Sequence, residues 1–193
     1  MKHNRWFVIL LALLPILFWS CARKDSGPPP EDVGKIVGRS TNWRVEIISA
    51  KREKVLGKPG LPYELALNLK IQYLGPSGTV QAPTFNVLNE RGEKLAFSGT
   101  ISFPAATAPL ARWLTSGLME SMFGPKDPPK PESMTSLETG KSFEFGVNYM
   151  SSEYVEGVNS NQQFQPRVTT PAKNLRLVFA DVPPIPFEVK SGS

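Results

Sequence analysis

Among 193 residues the chain holds one cysteine, Cys21, and one histidine, His3. Beyond Cys21 the groups able to act as nucleophile or base are carboxylates, hydroxyls and amines. Ser-His-Asp and Cys-His pairs, and zinc sites built from His or Cys, are therefore excluded for that part of the chain. A lone cysteine also excludes a disulfide within the chain. Paired carboxylates could cleave a glycosidic bond. Glu153 and Glu156 are such a pair by spacing, but they lie in a polar stretch without an apolar pocket motif, and solvated acids are the simpler expectation. A calcium loop needs dense acidic residues, whereas Asp25, Asp32, Asp127 and Asp181 are scattered. No metal and no cofactor is expected. Gly140-Lys141-Ser142 looks like the end of a phosphate-binding loop, yet Thr135 stands where the first glycine is required. It is expected to be a turn entering a strand. Gly75-Pro76-Ser77-Gly78 lacks the Gly-x-Ser-x-Gly spacing of a nucleophile elbow and reads as a turn.

Cys21 itself follows a basic head with Lys2 and Arg5, a 14-residue apolar run from Trp6 to Trp19, and the small residue Ser20. The run is shorter than the ~18 residues a membrane-spanning helix needs, so a cleaved export signal over 1–20 fits it better than a permanent span. The arrangement resembles the bacterial lipoprotein signal. The resemblance implies that the Cys21 thiol receives a diacylglycerol and becomes the first mature residue. It implies a bacterial cell-envelope location, with the membrane as partner through the acyl anchor. Ala22 at the second mature position is not the aspartate that resemblance associates with inner-membrane retention. It points to the periplasmic face of the outer membrane in a Gram-negative host. An ordinary secretory signal and an uncleaved anchor are the alternatives. Loss of Lys2 and Arg5 with the signal leaves 20 basic against 17 acidic residues, a net charge of +3. No cluster of Lys/Arg with aromatics suggests a nucleic-acid surface. The densest basic spot, Lys51-Arg52-Glu53-Lys54, reads as a solvated hairpin loop, with anionic headgroups as the sharper alternative.

The elements that must position these groups follow Cys21. Residues 21–34 form the lipidated cysteine and a tether with three consecutive prolines and almost no apolar side chains. Such a segment cannot bury a core, and it spans roughly 40 Å at ~3.3 Å per residue. Residues 35–193 then alternate with period two. Trp43, Val45 and Ile47 alternate with Arg44, Glu46 and Ile48; Tyr63 to Tyr73 is the cleanest such run. Phe85–Leu88 and Lys94–Phe97 flank a turn at Asn89–Glu93 and predict a hairpin. Phe143–Tyr149, Leu175–Phe179 and Ile185–Val189 complete the strands. Short half-polar strands with Gly/Pro turns predict an all-β fold, an immunoglobulin-like antiparallel β-sandwich with one inserted amphipathic helix.

That helix lies in an insert over 104–140. Leu110, Trp113, Leu114, Gly117 and Leu118 recur at helical spacing, Pro109 suits the first position, and Gly124-Pro125 suits the stop. The expected helix covers about 109–123, followed by Pro-rich loop over 126–136. Its stripe of Leu110, Trp113, Leu114 and Leu118 is the candidate partner-binding face; burial of the same face in its own domain is the alternative. A long polar loop over 151–173 is expected as well.

The spacing from Trp43-x-Val45-x-Ile47 through Gly57 and Gly60, Tyr63, Phe85-x-Val87-Leu88, Arg91-Gly92, Gly140, Phe143-x-Phe145-x-Val147 and Leu175-x-Leu177-x-Phe179 resembles the telokin-like, immunoglobulin-like domain of many bacterial lipoproteins. The resemblance implies a fold and an envelope address and carries no catalytic residues. Two functions are expected in turn: a non-catalytic binding or assembly module with an envelope protein as partner, or a binder of a small apolar ligand or lipid with the insert as lid.

Overall fold

The computed structural model describes residues 30–54, 63–124, 133–157 and 165–189. The expected lipidation site Cys21, the expected tether up to Pro29, the Gly57 and Gly60 loop and most of the expected Pro-rich loop lie outside the described residues. Chain contacts divide into a unit at Met1–Val33 and a unit at Gly34–Ser193. Of the first unit only Pro30–Val33 is described, with a 3-10 turn at Pro30–Asp32.

The second unit is an antiparallel β-sandwich with one inserted helix. Its strands are β1 (Ile36–Arg39), β2 (Trp43–Lys54), β3 (Tyr63–Tyr73), β4 (Gly78–Gln81), β5 (Phe85–Leu88), β6 (Phe97–Ser102), β7 (Met134–Leu137), β8 (Ser142–Tyr149), β9 (Tyr154–Val155), β10 (Arg167–Val168), β11 (Asn174–Phe179) and β12 (Val182–Glu188); the helix is α1 (Ala111–Phe123). The larger sheet has the order β1-β2-β3-β8-β6, a second has the order β12-β11-β5, and β4-β7 and β10-β9 form two-stranded pairs. Period-two alternation places one apolar row of the longer strands inside. Leu67, Leu69 and Ile71 on β3 and Leu177 and Phe179 on β11 have no exposed surface.

Aromatic side chains bind the layers together. The Trp43 ring lies 5.1 Å from Tyr73 and 5.6 Å from Phe179 across the sandwich, and Phe85 lies 5.3 Å from Phe145. Such pairs add about 0.5–1.5 kcal/mol each beyond their buried area. Gly38 on β1 packs so closely on β12 that a Cβ there would fall 2.5 Å from Ile185.

Several expectations change. Lys51–Lys54 is the end of strand β2, paired with Tyr63–Ala66 of β3, not a loop; the edge of a sheet accepts exposed charge readily. A bulge at Ile48 shifts the register between Ile47↔Leu69 and Ser49↔Asn68. Residues 134–136, expected within the Pro-rich loop, form β7 together with Leu137 and pair with β4, Gln81 opposite Met134. Within the expected polar loop, Tyr154–Val155 pairs with Arg167–Val168. The last strand begins three residues earlier than expected and contains Pro183, Pro184 and Pro186. Pro186 lies opposite Arg176 and has no N–H, so that pair must be a non-hydrogen-bonded one. The edge of β12 therefore lacks donors at Pro184 and Pro186 and resists addition of another strand.

The Asn89–Glu93 turn is as expected, with Gly92 at φ 79°. Asn89 Oδ1 accepts from the N–H groups of Arg91 (3.0 Å) and Glu93 (2.9 Å). The second arm pairs with β5 only at Leu88↔Lys94 and through Leu95 N–H to Val87 O at 2.8 Å. It then crosses to the larger sheet as β6, opposite β8.

Candidate functional site

The insert opens with a 3-10 turn over Ala105–Leu110 that contains Pro109, and the α-helix begins at Ala111. Pro109 thus belongs to the lead-in rather than to the first α-helical position. Gly124, at φ 82°, ends the helix, where a side chain would be strained.

Trp113, Leu114 and Leu118 are 3 %, 0 % and 1 % exposed, and Leu110 is partly buried against the same cluster. The predicted contact face is therefore turned into the domain. A stripe this apolar gains more from its own core than from solvent. Trp113 lies 5.8 Å edge-on to Phe143 and 6.3 Å from Trp43, and its Nε1 donates to Val80 O at 3.2 Å. Gly117 permits the close approach: a Cβ there would fall 2.2 Å from the Pro83 carbonyl oxygen. The Ser121 hydroxyl donates to Phe85 O at 2.9 Å, and Lys94 Nζ donates to Ser121 O at 2.8 Å. A lysine on a C-terminal carbonyl of a helix suits both the open acceptor and the helix dipole. The opposite side of α1 holds Met119 at 44 % and Phe123 at 65 % exposure. Both fell outside the recognised stripe.

The two carboxylates considered for catalysis have separate partners. Glu153 pairs with Arg52 at 3.5 Å and accepts from the Ser151 hydroxyl. Glu156 lies beside Lys94, to whose carbonyl its N–H donates at 2.8 Å. Burial raises the Glu156 carboxyl above the ordinary carboxylate value, and the Lys94 charge opposes this in part. Glu93 is shifted the other way, held down by its Asn89 hydrogen bond and by Arg167 at 2.7 Å. Burial, with Glu156 adding to it, pushes the Tyr149 hydroxyl well above its ordinary range. That hydroxyl has no hydrogen-bond partner among the described residues.

The Gly140–Ser142 segment is the expected turn, with Gly140 at φ 85° and its N–H on Tyr73 O at 2.8 Å. Gly75–Ser77 bends the chain between β3 and β4, its Pro76 carbonyl accepting from the Tyr73 hydroxyl at 2.9 Å, and Gly78 is the first residue of β4. Among the described residues no group of three or more His, Cys, Asp or Glu could hold a metal ion. No helix among them is long and apolar enough to cross a membrane. An open groove of about 460 Å³ on the outer side of β11 and β12 is lined by Glu90, Asn174, Arg176, Pro186 and Glu188 among others. The chain matches no family model, no curated protein and no solved structure.

Proposed function

We propose that this chain is a lipid-anchored protein of the bacterial envelope, held through Cys21 and acting as a non-catalytic binding or assembly module. The supporting observation is the seating of α1. Its inner side is pinned by Trp113, Leu118 and the Lys94–Ser121 bond, while Met119 and Phe123 are held out in solvent. A rigid helix presenting a large aromatic gives a partner contact area at little ordering cost. The contact side chains are thus Met119 and Phe123 rather than Leu110, Trp113, Leu114 and Leu118. The other function expected from the sequence, the insert as a lid over an apolar ligand, loses support from Trp113. Its ring occupies the space between α1 and the sheet that such a ligand would need.

The test is crosslinking of the C-terminally tagged protein in intact envelopes, run beside Cys21→Ser and Met119→Ala/Phe123→Ala. The module predicts a discrete partner band that weakens in both variants. A band unaffected by either, or no band with the wild type, contradicts it.

A further inference from the structure

We propose that the outward side of α1 pairs with the same side of α1 in a second copy of this chain, antiparallel about a two-fold axis. The inference rests on the contact surface proposed above and names its occupant.

The helix carries two charged residues, Arg112 in its first turn and Glu120 in its last. Each stands at the wrong end for the helix dipole, which favours anions at the start and cations at the close. Arg112 is exposed and has no ion-pair partner among the described residues. Glu120 accepts from Gln81, a neutral donor, at 3.3 Å. Neither charge therefore meets an opposite one among the described residues.

At 3.6 residues per turn, Arg112, Met119 and Phe123 fall in one narrow sector. It lies opposite the buried sector of Trp113, Leu114, Gly117 and Leu118. Thr115 and Ser116 lie between Arg112 and Met119, and Glu120 stands on one flank. From Arg112 to Phe123 the row runs about 16 Å along the axis. Met134 on β7 is 43 % exposed and faces the same way as Gln81 opposite it, so it extends the apolar rim on the Glu120 flank.

Turned antiparallel about an axis level with Gly117 and Leu118, this row complements itself. Arg112 meets Phe123 and Glu120 of the second copy, close to that helix's open C-terminal carbonyls. Met119 meets the small Ser116, so a large side chain lies against a small one. Each contact occurs twice, as two-fold symmetry requires. A parallel pair would instead set Arg112 on Arg112 and Glu120 on Glu120. Covering Met119, Phe123 and Met134 on both copies buries on the order of 600 Å². Stable interfaces bury about 1,200 Å² or more, so the pair is a weak one, formed where two copies share a membrane and their effective concentration is high.

The test coexpresses two full-length copies with different C-terminal tags and crosslinks them in intact envelopes. Self-pairing predicts a band of two chains that carries both tags. The band falls at least about fivefold when both copies carry Arg112→Glu, or both carry Glu120→Arg, because like charges then face each other. It returns when one copy carries Arg112→Glu and the other Glu120→Arg, which also shows that both variants fold. A two-tag band insensitive to either reversal, or no return with variants whose circular dichroism matches wild type, overturns the pairing. A band that joins one tag to a different protein and weakens in Met119→Ala/Phe123→Ala overturns self-pairing and leaves the contact surface standing. No band of any kind removes the contact surface as well.

Discussion

Trp113 and Phe123 share one helix and have opposite environments. Trp113 meets two aromatic rings and a backbone acceptor inside the domain, whereas Phe123 is mostly in solvent. Trp113→Ala is expected to cost about 3–5 kcal/mol in denaturant unfolding, and Phe123→Ala less than about 0.5 kcal/mol. Equal costs would contradict the orientation of α1. The titrating groups allow a second test. Glu156 has its folded-state pKa above the ordinary 4.5. Its neutral form is favoured by folding, so its contribution is present below 4.5 and is lost as pH rises through the folded value. Glu93 has its folded pKa below 4.5. Its contribution is present above 4.5 and is lost as pH falls through the folded value. Glu156→Gln is expected to raise the unfolding midpoint at pH 7 relative to wild type and to leave it little changed at pH 4. A lower midpoint at pH 7 would mean that the charge is stabilised in the fold. Tyr149→Phe removes a hydroxyl that is buried without a partner, so its effect is expected to lie within about 1 kcal/mol or to be stabilising. A larger loss would reveal a hidden bond.

At the scale of elements, the contact between α1 and the Pro83 backbone decides whether the helix lies flat. Gly117→Ala would push a methyl group against a backbone carbonyl, which cannot swing aside. A cost of about 1–3 kcal/mol is expected in denaturant unfolding, with faster amide hydrogen exchange along α1. Unchanged stability would mean that the helix is not seated this way. Long strands were legible because β3 alternates without a break from Tyr63 to Tyr73, and the helix stop was legible at Gly124. Strand β7 was hidden, since four residues carry too little periodicity beside a Pro-rich stretch. Strands β9 and β10 were hidden because two-residue pairs depend on partners distant in sequence. The prolines of β12 read as a break before the strand, yet an edge strand loses nothing when its outward N–H is missing. The candidate face was legible as a stripe, but an amphipathic pattern does not say whether its apolar side meets the same domain or another. Lys94 on the carbonyl of Ser121 had no sequence signal, because a lysine in a hairpin arm looks solvated until the helix end is placed beside it.

At the scale of the molecule, the described sandwich is held by an aromatic core, and the proposed function gives the one cysteine, Cys21, its use as the point of attachment. In the proposed function the outward side of α1 offers Met119 and Phe123 to a partner. That function depends on the chemistry at Cys21. The most direct measurement is the mass of the N-terminal peptide of the mature protein recovered from bacterial membranes. The account predicts a chain beginning at Cys21 with a diacylglycerol thioether, and no membrane-held protein from Cys21→Ser. A mature N-terminus at any other residue, or a free thiol at Cys21, would contradict it.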